Sequence, residues 1–322
     1  MKSILSKAKI ATQPGGRPPA AVELSPEGVL AAALPAPGQP AVYAFEPLPA
    51  GMLVPNIGEP NLRAPEVVTA AIRSALGRVS PRTRSITAIL PDTLVRVFVL
   101  DFDSMPAKAS EAVSVVRFRL RKMVPFDVEH ASLSYQVLVE KKDECKVLAA
   151  VLPGQVLAEY EAAVRAAGYE PGAVLPSSLA ALEAVDSMEA MLIANLSSIA
   201  LTTCIANGQD LLLYRTIDLP TDPNLRLQEV QRGIAVAAAY FEDKLGVCPR
   251  QLYYAGSNII DYAGAGYSEA EDFASWLDDP ELNVVDLAPR PETGAVTSLG
   301  QASIAGVAGA LARHGGQAGA RA

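Results

Sequence analysis

Imidazole and thiol are scarce: the only histidines are His130 and His314, and the only cysteines are Cys145, Cys204 and Cys248, in 322 residues. A hydrolase triad or a metal cluster would have to be built almost without imidazole. The cysteines are odd in number, far apart and free of any C-x-x-C spacing. Neither a disulfide framework nor a zinc site is indicated, and a reducing cytoplasm fits. Basic charge is equally short, with 27 Lys and Arg against 35 Asp and Glu and a net charge of −8. A dedicated nucleic-acid binder needs the opposite balance. There is no Walker A sequence, and Gly264-Ala-Gly266 does not directly follow a strand, so it reads as a plain turn. Asp101 and Asp103 are a candidate carboxylate pair for acid and base work, with strand-end turn residues as the ordinary reading.

Long lipid-compatible runs are missing as well. Ala190 to Gln209 carries no charged residue and is long enough to imitate a membrane span. Yet Asn195, Ser197, Ser198, Thr202, Thr203 and Asn207 would be costly in lipid, and N-L-S-S is a turn signal. The stretch predicts a buried β-hairpin, and no transmembrane segment is expected. The N-terminal MKSILSKAKIATQPGG has too short an apolar segment for a signal-peptide core. It reads as a flexible tail whose lysines would favour an anionic membrane surface.

Half of the chain is hydrophobic, and its length gives room for two domains. AAVEL, GVLAAAL and PAVYAFEPL predict three strands, with Ser25-Pro26-Glu27-Gly28 turning between the first two. Met52 to Leu62 reads as an irregular loop. APEVVTAAIRSALGRV predicts a helix with Pro65 near its start, and SITAILP a fourth strand. VRVFVLDF then predicts a strand. KASEAVSVVRFRLRKM predicts an amphipathic helix with Val113, Val116, Leu120 and Met123 on one face, stopped at Pro125. SLSYQVLV predicts a strand with Leu133, Tyr135, Val137 and Val139 on one side, and KVLAAV a strand buried on both faces. QVLAEYEAAVRAAGY packs a helix back through Val156, Leu157, Tyr160 and Val164. PSSLAALEAV is a short helix capped by Ser177 or Ser178. MLIAN, IALTTCIANG and DLLLYRTIDL then restart the three-strand pattern, with a hairpin turn at Asn207-Gly208. A long helix from Leu225 to Gly246 follows, then the strand RQLYYAG, the helix SEAEDFASWLDD, the edge strand NVVDL and a final helix in ASIAGVAGALAR. The order β-β-β-α-β-α occurs twice, interrupted once by a strand-helix-strand-strand-helix insert.

That doubled order with one insert resembles the actin-like fold, a duplicated ribonuclease-H-like core, in its FtsA-related PilM branch of type IV pilus assembly proteins. The resemblance is carried by SITAILPDTLVRVFVLDFDSMP, by Lys122-Met123-Val124-Pro125-Phe126, by Ser134-Tyr135-Gln136-Val137, by VLAAVLPGQVLAEYEAAVRAAGYEPGAVLPSSLAAL and by EVQRGIAVAAAYFEDKLG. It implies a flexible tail at 1–19 and a first core subdomain from 20–91 plus 176–187. The inserted α/β subdomain would span 92–175, a second core subdomain 188–313 and a tail 314–322.

An actin-like ATPase holds Mg-ATP between two hairpins whose Asp-x-Gly turns let backbone N–H groups reach the phosphates. Here the first turn offers Glu23, Ser25 and Gly28 around Pro26, which has no N–H, and the second offers Asn195, Ser197 and Ser198. The adenine-side strand keeps one glycine, Gly256. Only Pro220 to Asn224 separates DLLLYRTIDL from the long helix, where the family carries a small nucleotide-covering subdomain. These departures imply a pseudo-ATPase with no cofactor; ATP with Mg²⁺ belongs to the alternative, an active actin-like ATPase. A third reading is the cytoplasmic part of a type II secretion platform.

The resemblance further implies a cytoplasmic scaffold, peripheral to the inner membrane. It would bind the cytoplasmic N-terminal peptide of a PilN-like protein and also meet other platform proteins or motor ATPases. The groove would lie between residues 63–90 and 117–135, with Arg117, Arg121, Phe126 and Tyr135 as peptide contacts; Phe126 and Tyr135 read equally well as core. The cluster Arg117, Arg119, Arg121 and Lys122 reads as a solvated helix face, with an acidic peptide or a lipid headgroup as the sharper reading.

Overall fold

The computed structural model describes residues 17–36, 39–141, 144–185, 187–208, 210–256, 269–277, 279–288 and 302–315. The first hairpin joins β1 (Ala20–Leu24) to β2 (Gly28–Ala33) through a turn closed by Ser25 N–H to the Gly28 carbonyl at 2.9 Å. Beside β2 runs β3 (Val42–Pro47), and on the other side of β1 lies the parallel β4 (Ser85–Leu90). Between them α1 (Pro65–Val79) starts at a proline and ends at Ser80 in the left-handed region, φ 48°. Its Val68, Ala71, Ile72, Ala75, Leu76 and Val79 recur at helical spacing, and they bury against one face of that sheet.

A short 3₁₀ turn (Asp92–Leu94) leads into the insert: β5 (Arg96–Phe102), α2 (Ala109–Leu120), β6 (Ala131–Lys141) and β7 (Glu144–Pro153), paired in the order β5-β7-β6. As its apolar run predicts, β7 is buried on both sides. Cys145, Val147, Ala149 and Val151 face α2, while Leu148 and Leu152 join the main core. Two details differ from the periodic reading. A register shift between Val137 and Val139 leaves Leu138 on the main-core side and puts Val139 opposite Lys146, away from Leu133, Tyr135 and Val137. On α2 the buried residues are Ala112, Val116 and Leu120; Val113 is half-buried, and Met123 lies beyond the helix, where the 3.6-residue period no longer applies.

The chain returns through α3 (Gly154–Ala166) and β8 (Glu170–Pro176), a strand that sequence periodicity missed. It pairs in parallel with β4 at the edge of the first sheet, so residues 170–176 belong with the first lobe and not with an insert of 92–175. Pro171 and Pro176 are tolerated because an edge strand needs ladder bonds on one side only. Gly172 leaves room for Ser85 Oγ.

After α4 (Ser177–Ala181), the second sheet has the order β11-β10-β9-β12-β13. Its strands are β9 (Ala190–Leu196), β10 (Ala200–Asn207), β11 (Asp210–Asp218), β12 (Gln251–Tyr254) and β13 (Asn283–Asp286). The uncharged stretch is thus an antiparallel hairpin, and no helix among the described residues is long and apolar enough to cross a membrane. One face packs under α5 (Pro223–Leu245) and α6 (Glu269–Trp276), while Met191, Ile193, Cys204 and Leu211 on the other join the first-lobe core. Asp222 caps α5 by accepting from Asn224 and Leu225 N–H, and Gly246, φ 70°, ends it.

The last helix, α7 (Ala305–Gly315), does not stay with the second lobe. It crosses back to the free face of the first sheet, where Val307, Ala310 and Leu311 meet Ala21, Leu30, Ala32 and Ile89. Gly309 lies so close to the Ala180 carbonyl that no Cβ fits between them. Gly309→Ala is expected to lower stability by about 1 to 3 kcal/mol, the range for an overpacked contact. Urea denaturation checks this, with Ala308→Gly, at a half-buried position, as the control for helix propensity.

Candidate functional site

The seam between the lobes opens into a cleft of about 640 Å³, and both hairpin turns line it. Glu23, Ser25, Pro26 and Glu27 form one wall, Asn195, Ser197, Ser198 and Ile199 the opposite one, with Asp92, Thr93 and Ser177 between them. Both turns singled out in the sequence, at Glu23–Gly28 and Asn195–Ser198, border this cleft. The sequence reading missed Asp92 and its partners, because Asp92 has the local signature of any strand-end residue, Ser177 and Ser178 that of a helix cap, and Tyr214 that of a strand residue.

Asp92 is buried at the joint where β4 hands over to the insert. Its carboxylate accepts from Ser178 N–H at 2.9 Å, from the Ser178 hydroxyl, from Tyr214 OH at 2.8 Å and from Asn195 Nδ2 at 3.3 Å. Ser178 belongs to the first lobe, Tyr214 and Asn195 to the second, so one carboxylate ties both lobes. Asn195 Nδ2 also reaches Ser177 Oγ at 3.1 Å, and Ser177 Oγ donates to Glu23 Oε1 at 2.6 Å. Ser177 and Ser178 therefore sit inside the first turn of α4 with their hydroxyls turned to the seam, and not as its cap. Tyr214 is held neutral, its pKa pushed well above the ordinary phenol value by burial and then by the nearby Asp92.

Glu23 borders the cleft, but its Oε2 is sealed from solvent against Gly306 of α7 and accepts no hydrogen bond from the described residues. Burial pushes its pKa up to about 7; the Ser177 hydroxyl works against that rise, and Asp92 and Glu27 add to it.

The turns themselves are closed structures. In the first, the N–H groups of Ser25 and Gly28 bond within the turn, and Gly28 is a glycine because the Phe45 ring and the Glu46 carbonyl occupy the Cβ position. In the second, Ser197 N–H bonds the Ala200 carbonyl and Ala200 N–H bonds Ser197 Oγ. Arg226, from the first turn of α5, donates to the carbonyls of Ser197 at 2.9 Å and Ser198 at 2.5 Å. Its pKa is lowered by desolvation, partly offset by Glu27. Gly256 has a packing reason of its own, the Tyr254 ring. An Mg-triphosphate needs free N–H donors and glycine turns; here the N–H groups of Ser25, Gly28, Ser197 and Ala200 are already bonded, and a proline and three carboxylates line the same cleft. The donor set does not fit that group.

On the insert, Arg117 reaches inward and donates to the carbonyls of Val128 and Ala131, which pins α2 to the start of β6. Arg121 pairs with Glu129 at 2.5 Å. Phe126 and Tyr135 are half-buried against the α2-side core. The segments 63–90 and 117–135 do not simply face each other. α3 touches α1 on one side and β6 and β7 on the other, since its Val156, Tyr160 and Val164 are shared with the main core. Glu159 of α3 also accepts from Asn61 and Leu62 N–H, and Tyr160 OH donates to Asn61 Oδ1, which orders the 52–62 loop.

The remaining candidates have ordinary explanations. Asp101 is paired with Lys146 at 2.9 Å, His130 with Asp127 at 2.6 Å, and Cys145 and Cys204 are buried. Among the described residues no three His, Cys, Asp or Glu side chains are placed to hold a metal. Gly264 to Gly266 lie outside the described residues, as does the side chain of His314.

No protein-family model matches the chain, and no curated protein sequence matches it. Solved structures do. The chain is similar to the PilM–PilN type IV pilus biogenesis complex with a TM-score of 0.66 at 17% identity, over 92% of this chain and 98% of that one. Weaker matches include the cytoplasmic domain of EpsL, an inner membrane component of the Vibrio cholerae type II secretion system. It aligns with a TM-score of 0.47 at 13% identity, over 74% and 81% of the two chains. A Bacteroides thetaiotaomicron protein of actin-like ATPase fold and unknown function aligns at 0.45 and 10% identity, over 83% and 90%. The fold is therefore actin-like with a PilM-type insert. Only Leu219 to Asp222 join β11 to α5, so the nucleotide-covering subdomain is missing there.

The Glu23 shift has a signed consequence for stability. The unfolded carboxyl loses its proton near 4.5 while the folded one keeps it until about 7, so the folded state binds more protons in that window and stability falls as pH rises through it. Glu23→Gln removes the penalty. Thermal melts are expected to show the variant gaining on wild type from pH 5 to pH 8, by on the order of 1 to 3 kcal/mol; an unchanged difference across that range would contradict the assignment.

Proposed function

We propose that this chain is a docking scaffold of a type IV pilus assembly platform. It takes the cytoplasmic N-terminal peptide of a PilN-type membrane protein, works without ATP hydrolysis and sits peripherally at the cytoplasmic face of the inner membrane. The observation that carries this reading is the end-to-end match to a chain of the PilM–PilN complex, insert included.

The cleft supports the non-catalytic part. A triphosphate entering it would meet Glu23, Glu27 and Asp92 and would compete with Arg226 for a turn that is already tied. The insert supports the docking part. β6 is an edge strand of its sheet, where an extended peptide can add by backbone pairing, and Tyr135 and Phe126 are half-buried against the same cluster. Arg117 is engaged inside the subdomain and Arg121 is paired with Glu129, so this reading rests on the β6 edge, Phe126 and Tyr135.

Two measurements test the reading. Millimolar Mg-ATP is expected to leave the melting temperature unchanged, because a ligand stabilises only the state it binds; a shift of several degrees or measurable turnover would favour the enzyme. A synthetic peptide matching the cytoplasmic N-terminus of the neighbouring PilN-type membrane protein is expected to bind in isothermal titration. Tyr135→Ala is expected to weaken it about tenfold, in the range for loss of an aromatic anchor. Unchanged affinity in both Tyr135→Ala and Phe126→Ala would move the groove elsewhere.

A further inference from the structure

Eight large hydrophobic side chains among the described residues are exposed, and three of them, Val115, Phe118 and Met123, fall within nine residues on α2 and its exit. Phe118 is the extreme case, 71% exposed. The rest are scattered over the molecule, as isolated exposed apolar residues ordinarily are.

The same segment concentrates positive charge in an acidic protein: residues 108–123 carry Lys108, Arg117, Arg119, Arg121 and Lys122 against Glu111 alone. Not all of these cations are available. Lys108 pairs with Glu111 at 3.1 Å, Arg117 points inward, and Arg121 is held by Glu129 while its guanidinium lies 5.7 Å from the Phe118 ring centre. Arg119 and Lys122 are exposed with no partner among the described residues. Val115 and Phe118, at i and i+3, are neighbours on one side of α2, and Lys122 and Met123 follow just past its end. Ala112, Val116 and Leu120, on the opposite side of the helix, hold it to the sheet.

We infer that this outer face of α2 rests on an anionic lipid surface. A convex ridge offers no groove in which a peptide could be enclosed, but it fits a plane, with Phe118, Val115 and Met123 entering the interface and Arg119 and Lys122 at headgroup level. Charge complementarity selects the lipid sign. A protein of net charge −8 is repelled by an anionic surface as a whole, so contact through this one basic and aromatic ridge would also set its orientation. Each cation near such a surface contributes roughly 1 kcal/mol and one short ridge is a weak anchor, so the contact is reversible and adds to any protein tether. The inference does not depend on the peptide-docking reading.

The test is flotation of the full chain with phosphatidylcholine vesicles with and without phosphatidylglycerol, comparing wild type, Phe118→Ser and the double change Arg119→Glu, Lys122→Glu. Wild type is expected to float only with the anionic vesicles and to be released by salt. Either variant, verified as folded by circular dichroism, is expected to lose about tenfold in vesicle affinity, as expected for losing or reversing these contacts. No flotation of wild type with anionic vesicles overturns the inference, and so does flotation undiminished in both variants, which would assign binding to another part of the chain.

Discussion

A carboxylate buried between two lobes is costly unless donors surround it, and the architecture of this protein follows that demand at Asp92. The first lobe answers with the backbone and hydroxyl of Ser178, and the second with Tyr214 and Asn195. None of the four is a cation, so the charge is met by dipoles that must all stay in place. That requirement sets the spacing of the two sheets, because β9 and β11 of one lobe and α4 of the other must converge on a single pair of oxygen atoms. The apolar core running beneath the seam from Val22 and Ala31 to Ile193 and Cys204 is compatible with that arrangement.

The cleft above the seam is lined by both hairpin turns and by three carboxylates. Its turns bond to themselves, one is fastened by Arg226, and the two glycines that survive are accounted for by the Phe45 and Tyr254 rings. Glu23 extends the same logic: a buried acid with one oxygen bonded and one sealed keeps its proton up to about pH 7. Such a seam favours a single closed arrangement of the lobes.

The insert is built differently. Its sheet shares one face with the main core and covers the other with α2, so the subdomain is rigidly seated while its outer helix and the β6 edge remain outside. The glutamate and tyrosine of α3 fasten the 52–62 loop to that seat. Surfaces available for partners are therefore presented by elements whose opposite sides are fully packed, which is the condition for a well-defined docking geometry.

The order and type of the elements were legible in the amino-acid sequence, because hydrophobic period and turn chemistry are local. The hairpins at Ser25–Gly28 and Asn195–Ser198, the helices from Pro65 and from Leu225, and the doubly buried β7 all announce themselves within a dozen residues. So did the gap in the N–H row of the first turn, since Pro26 lacks an N–H wherever it sits. Tertiary structure decided what depends on long-range pairing. It placed β8 at a sheet edge despite two prolines, flipped Val139 by a bulge, sent α7 back to the first lobe and turned Arg117 inward. It also brought Asp92, Ser178, Asn195 and Tyr214 together from positions up to 122 residues apart. No local pattern encodes that meeting, because a buried charge selects its donors from whatever the folded chain brings within reach.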